Sequence, residues 1–401
     1  MSAHGNPNII EDGLVFLYDV NNKKSYPGEP TENIFLNPTF IGTAGTQNTT
    51  VTRNWYFSGY SGDTGFKFQN NSSATIPLKF PNEGAVITTD GSPDNQNRRF
   101  YCNEVLEVGA TYAVSAWIYI TYSGGVGIAH FEYGGDNLNN GYFDNINNHP
   151  NFVVGEWFYW EDTYTVGADY THGLIGPVFS GSLDYFLAIQ RFQIEKKSHA
   201  TPFVNGTRSA TQGLLDRTGN KTITLANMSY DSNAQKYFDG TDDYISIPTH
   251  TFGNGNWTLN AWVNPDVVSG YNVMSNSSSG PVTNAFGFNG GKIVYRNYDG
   301  TWQWHHGNTT MSIYNWYMLT WVNYEGASAS DGTMKMYVNG VADSDTFNSY
   351  TTNGGPCDVI GRNWTSAFYN GKIDRVTIHN KSLTDAEVLQ NFNATKSRFG
   401  L

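Results

Sequence analysis

Apolar and polar residues alternate with a period of two along much of this chain, which is the pattern of half-buried β-strands. Residues 12–18 (DGLVFLY) predict a strand, followed by a loop of turn formers over 19–30 (DVNNKKSYPGEP). The same alternation predicts strands near 65–68, 111–121, 127–133, 156–166 and 184–194. Lys236 to Pro248 (KYFDGTDDYISIP) reads as strand, tight turn, strand, with Phe238, Tyr244, Ile245 and Ile247 as the strand residues and Asp239-Gly240 in the turn. One helix is predicted: Thr384-Asp385-Ala386-Glu387 forms a capping box, and Val388, Leu389 and Phe392 follow at helical spacing. Residues 1–11 are polar and read as an arm.

An internal echo predicts two related sandwiches. Residues 111–118 (TYAVSAWI) align with 257–263 (WTLNAWV), and 156–160 (EWFYW) with 315–319 (NWYML), in the same order. Both pairs read as facing strands filling a core between two sheets, so Trp117, Trp157, Trp262 and Trp316 are expected as core anchors.

Composition sharpens the class. Gly, Asn, Thr, Ser and Tyr are abundant and only 14% of residues are charged, which predicts an all-β chain of short strands and many turns. The net charge of −12 argues against a nucleic-acid partner, since phosphate binding needs a basic stripe. No apolar run reaches membrane-spanning length, so no membrane insertion is expected. The opening MSAHGNPNIIEDG lacks a basic region followed by an apolar one, so no secretory signal is read there. Cys102 and Cys357 are expected to be free thiols.

FDGTDDYISIP, read with Trp257–Val263, Asn315–Val322, MKMYVNGVAD (334–343), Ile360-Gly361-Arg362 and GKIDRVTIHNKSL (371–383), resembles the laminin-G-like, concanavalin-A-like jelly-roll sandwich found in phage virion proteins. GLVFLYDVNNKKSYPG resembles that family's first strand and loop, yet the Asp-x-Thr-Gly-Asn turn that normally follows comes only at Asp216–Asn220. The resemblance therefore implies an interrupted domain: a laminin-G-like sandwich over 12–30 plus 206–401, with a second domain over 31–205 inserted in its first loop. A plain tandem, with the first strand belonging to the first domain, is the alternative. The insert opens with NIFLNP (33–38) and ends with FQIEKKSHATPF (192–203), which resembles a carbohydrate-binding-module-like jelly roll of the galactose-binding type.

Candidate chemistry is thin. No Gly-x-Ser-x-Gly, phosphate loop or His-Glu-x-x-His occurs. The close acidic groups are Glu156 with Glu161-Asp162, at strand ends, and Asp239 with Asp242-Asp243, in a turn, so no glycosidase pair is read. Asp239, Asp242 and Asp243 are candidate ligands for a hard cation such as calcium, set against simple service to the turn. By position, the resemblance of the insert points to a structural calcium near Asn33, Asn37, Gln193 and Glu195. Trp302 and Trp304 with His305 and His306 form a candidate sugar-binding patch, set against burial of both tryptophans in one sheet face. Trp55, Tyr56 and Tyr60, and Tyr133 with Tyr142, are further candidates.

The expected function is a non-catalytic virion protein assembled in the host cytoplasm: a capsid decoration, head appendage or tail fibre. Its expected partners are other virion proteins, cell-surface glycans and further copies of itself. A secreted bacterial lectin or adhesin module and a glycoside hydrolase are the alternatives.

Overall fold

The computed structural model describes residues 8–35, 39, 45–46, 55–58, 66–69, 76–89, 98–103, 106–123, 128–134, 141–142, 149–167, 174–180, 184–230, 236–253, 255–277, 284–298, 301–326, 332–344, 347–348, 355–363 and 367–401. Strands make up nearly all the regular structure, and the helix among the described residues is Asp385–Thr395, followed by a 3-10 turn, Lys396–Phe399. The all-β class with a short C-terminal helix is thus borne out. Thr384 caps that helix by accepting from the Glu387 backbone, and Glu387 returns the bond to the Thr384 backbone, which is the capping box read from the sequence.

The chain divides into two compact units: Met1–Pro30 with Ser209–Leu401, and Thr31–Arg208. In the first unit, the described residues form a nine-stranded sheet and a seven-stranded sheet. The nine-stranded sheet centres on the closing strand Asn370–His379. Trp257–Pro265 pairs along one side of it, while Leu14–Asp19 and Lys236–Asp239 pair with different stretches of the other. Phe16 lies opposite Ile378 and Tyr18 opposite Val376. Phe16 and Tyr18 are fully buried in the core that the two sheets share, with Leu259, Phe286, Trp321 and Ile373. Leu17 and Asp19 alternate with them and so face the other side of the sheet.

The turn at Asp216–Asn220 holds the opening strand in place. Asp216 accepts from Thr218 N and Lys221 N (both 3.0 Å) and from Asn220 N (3.1 Å). Thr218 Oγ1 and Asn220 Nδ2 each donate to the Val15 carbonyl at 3.1 Å.

The tryptophan expectation needs correction. Strands 257–265 and 317–324 are hydrogen-bonded neighbours, as are 111–123 and 157–165, so neither pair faces across a core. Trp257, Leu259, Ala261 and Val263 share the inward face, which turns Trp262 outward. Trp262 is nonetheless 2% exposed, because Met318, Val322, Tyr337, Leu383, Val388 and Phe399 close a second cluster over it beneath the helix. Trp316 is half-buried against that cluster and Phe399. Trp117 and Trp157 are half-buried, each packed at a tilt against a tyrosine ring, Tyr159 and Tyr119 respectively. The fully buried tryptophan of their sheet is Trp160.

In the second unit the described residues form a six-stranded and a five-stranded sheet. The long strand Thr111–Ser123 lies between Trp157–Thr165 and Asp184–Glu195. The two ends of the unit meet, with Thr31 paired to Arg208 and Glu32 to Thr207. Strands Ala85–Thr89, Arg98–Asn103 and Leu174–Ser180 were not read from the sequence; Gly176 and Pro177 mask the alternation of the last.

Candidate functional site

The seven-stranded sheet ends in a hairpin of Lys292–Tyr298 and the rim strand Trp302–His306. Its register sets Tyr298 opposite Trp302, Arg296 opposite Trp304 and Val294 opposite His306. Tyr295 and His305 form the alternate pair, and Tyr295 belongs to the inner core. The first set therefore lies on the outer face and the second on the inner face.

On the outer face the Arg296 guanidinium stacks on Trp302 at 4.4 Å and on Trp304 at 5.4 Å from the ring centroids. Tyr298 meets Trp302 edge-on at 5.0 Å. A cation over an indole face contributes about 0.5–2 kcal/mol and fixes the orientation of both groups. Arg296 is 5% exposed while Trp304 is 40% exposed, so the indole of Trp304 presents area to solvent on a held cation. His306 Nε2 lies 3.0 Å from Asn289 Nδ2, which adds hydrogen-bonding groups beside the ring. A half-exposed indole with polar neighbours suits the apolar C–H face of a sugar ring, whose hydrogens meet the negative ring face.

His305 is not part of that surface. It stacks on Phe347 at 3.9 Å and 9° and sits near Tyr295. Burial lowers its pKa to about 4, with the nearby His306 charge as the second cause. Its Nε2 is buried without a hydrogen-bond partner among the described residues, so a proton there would be an unpaired charge.

The Asp239, Asp242 and Asp243 carboxylates each offer an oxygen within 4.8 Å of the others. Asp239 Oδ1 accepts from Thr241 N at 2.7 Å, and Asp243 Oδ2 accepts from Asp239 N at 2.9 Å. Gly240 between them has φ 78°, a conformation that glycine adopts without strain. The turn thus uses two of its carboxylates on its own backbone, while its oxygen chemistry suits a hard cation.

Glu195 is fully buried and accepts from Thr31 Oγ1 (2.6 Å), Gln193 Nε2 (2.8 Å), Thr201 N (2.6 Å) and Thr201 Oγ1 (2.8 Å). Asn33 donates to the Phe192 and Val204 carbonyls and accepts from Ile194 N and Phe35 N. These residues join the two ends of the second unit. Asn37 lies outside the described residues.

Trp55 and Tyr56 lie on strand Trp55–Ser58, Tyr133 on Ile128–Gly134 and Tyr142 on Gly141–Tyr142; their side chains, and Tyr60, lie outside the described residues. Tyr142 pairs with Glu132, so the strands bearing Tyr133 and Tyr142 are neighbours. Glu161 and Asp162 are adjacent on one strand and so face opposite sides of it. Cys357 is a buried free thiol whose pKa burial pushes up.

Sequence reasoning missed two sets of residues. Arg296 was legible in principle, because pairing RNY (296–298) with WQW (302–304) places it between the tryptophans. Asp19, Asp374, Arg375 and Arg398 were not, because 379 residues separate Asp19 from the Arg398 that binds it at 2.6 and 2.8 Å.

Residues 239–389 match the family described as the concanavalin A-like lectin/glucanases superfamily, and this part of the chain has a lectin-like β-sandwich fold. A search of curated proteins finds no match. Among solved structures, the chain is similar to domain 4 of AbnA, a GH43 extracellular arabinanase from Geobacillus stearothermophilus, in complex with arabinotriose. The identity is 19% and the TM-score 0.33, over 46% of this chain and 92% of that one. It is also similar to a structure of botulinum neurotoxin type C, whose cell entry is dependent upon interaction with two ganglioside molecules (14% identity, TM-score 0.35, 46% of this chain). The chain spans 50% of that structure's length. A heptameric SAP-like pentraxin from Limulus polyphemus matches at 16% identity and TM-score 0.28, over 38% of this chain and 78% of that one.

Proposed function

We propose that this chain is a non-catalytic virion surface protein that binds glycans through its lectin-like sandwich. The observation that carries the glycan reading is the outer face of the rim hairpin, where Trp302 and Trp304 hold Arg296 and Trp304 stays 40% exposed. The ring supplies a stacking surface, and Asn289 and His306 supply groups that bond hydroxyls. Such a face binds sugars without transforming them: stacking fixes a ring, while hydrolysis needs two carboxylates on one cleft. The virion reading, as a capsid decoration, head appendage or tail fibre present in many copies, is supported by the resemblance of residues 12–28, 206–401 and the insert's two ends to phage virion proteins.

A glycan array probed with the purified chain tests the binding half. Wild-type protein binds a defined subset of glycans, Trp304→Ala loses at least tenfold in affinity for them, and no shortened saccharides appear on incubation. Retention of full affinity in Trp304→Ala, or release of products, contradicts the reading. Immunogold labelling of intact particles tests the virion half: regular surface labelling supports it and unlabelled particles refute it.

A further inference from the structure

On the side of the nine-stranded sheet that carries the helix lies a cleft of about 590 Å³. One wall is the opening strand, through Leu14, Leu17 and Asp19; Arg398 and Ala394 form another; Arg217 comes from the Asp216 turn. Arg375 also lines it. All of these residues belong to one compact unit.

Arg375 is the unusual member. It is only 7% exposed, yet the groups acting on its guanidinium are charges at a distance, Asp19, Arg398, Asp374 and Arg217, with no hydrogen bond from a described residue among them. A guanidinium offers five N–H donors, and those of Arg375 are not among the sealed, partnerless atoms of the described residues, so they open to the cleft, where an anion can meet them. The nearby acids do not fill that role. Asp19 is engaged by both terminal nitrogens of Arg398, at 2.6 and 2.8 Å. Asp374 is 1% exposed, accepts from Asn21 Nδ2 at 2.7 Å, and has its pKa raised to about 7 by burial and by the charge of Asp19. Three guanidinium groups are thus gathered around one cleft with two buried carboxylates beside them, one of which is not fully charged at neutral pH.

From this we infer that the cleft is an anion-binding site for the acidic residue of a glycan, whose carboxylate or sulfate lies on Arg375 and Arg217. The remaining lining selects a sugar acid over a bare oxyanion. Glu11 at the cleft offers an acceptor for a ring hydroxyl, and Leu14, Leu17 and Ala394 offer apolar surface to a ring, neither of which a bare oxyanion can use. The volume suits one or two sugar residues. The site is separate from the rim hairpin, and its sugar half rests on the glycan-binding reading.

Titration calorimetry on the full chain with D-glucuronate, glucose and inorganic sulfate tests this. Wild-type protein binds glucuronate, and binds neither glucose nor sulfate comparably. Arg217→Gln, an exposed position, keeps the wild-type urea midpoint and weakens glucuronate binding about tenfold, the effect of one charge-assisted hydrogen bond. Arg375→Gln abolishes binding; should that variant fail to fold, Arg217→Gln decides alone. Trp304→Ala leaves glucuronate binding unchanged. No glucuronate binding by the wild type, sulfate binding in its place, or unchanged affinity in Arg217→Gln overturns the inference. Loss of glucuronate binding in Trp304→Ala with retention in Arg217→Gln also overturns it, and leaves the rim-hairpin reading standing.

Discussion

The backbone N–H of Leu17 donates to Asp216 Oδ1 at 3.0 Å, across 199 residues of chain. Arg217 N returns a bond to the Leu17 carbonyl at 2.8 Å, so the turn and the opening strand grip each other on the edge that the closing strand leaves open. A buried carboxylate that accepts several backbone bonds is costly to remove, because its donors are stranded along with it.

Asp216→Ala is therefore expected to destabilise the first unit by about 2–4 kcal/mol. Urea unfolding measures the loss, and hydrogen exchange at Leu17 identifies its place: that amide should lose protection more than amides in 292–298. An unchanged urea midpoint would mean that the opening strand is held by its sheet pairing alone.

Asp374 gives the stability a pH dependence of defined sign. Burial, followed by the charge of Asp19, raises its pKa to about 7 from an ordinary carboxylate value. The folded state then binds the proton more tightly than the unfolded state, so the stabilisation is complete below about pH 4 and is lost as pH rises through about 7. Asp374→Asn should gain on the order of 2 kcal/mol over wild type at pH 8 and nothing at pH 4. Thermal melts at both pH values check this; an equal effect at both would place the cause outside ionisation.

His305 runs the other way. Its pKa is lowered to about 4, so the contribution it makes while neutral is present above about pH 6.5 and is lost as pH falls from there towards 4. His305→Phe keeps an aromatic ring against Phe347 and removes the proton site. It should flatten the fall of stability between pH 6.5 and 4.5 by roughly 1–2 kcal/mol, a figure discounted for the solvent that screens a partly exposed ring. A melting profile parallel to wild type across that range would contradict this.

The sequence carried the local features well and the assembled ones poorly. The all-β class, the capping box at Thr384 and Glu387, and five strands of the insert region follow from period and chemistry within a few residues of each other. The tryptophans went wrong for a specific reason. Apolar character alone points to the inter-sheet core, whereas Trp262 belongs to the outward set of its strand and is buried only because the helix at 385–395 arrives from far along the chain. The rim hairpin was half legible, since WQWHH announces its two faces but not the Arg296 that the register brings between the indoles. The arginine-lined cleft was illegible, because Asp19, Arg217, Arg375 and Arg398 are neighbours only once the opening strand lies against the closing one.

Both proposed binding surfaces require a sandwich completed across an interruption, and Thr31 paired with Arg208 places the two crossing points side by side. Joining residues 1–30 to 209–401 through a short Gly-Ser linker, and following urea unfolding with hydrogen exchange at Leu17 and Tyr18, tests this most directly. The joined chain should unfold in one cooperative transition with both amides protected, while 209–401 alone, lacking Phe16 and Tyr18 from its core, should be far less stable or unfolded. A joined chain that does not fold, or a 209–401 fragment as stable as the joined chain, would contradict the account.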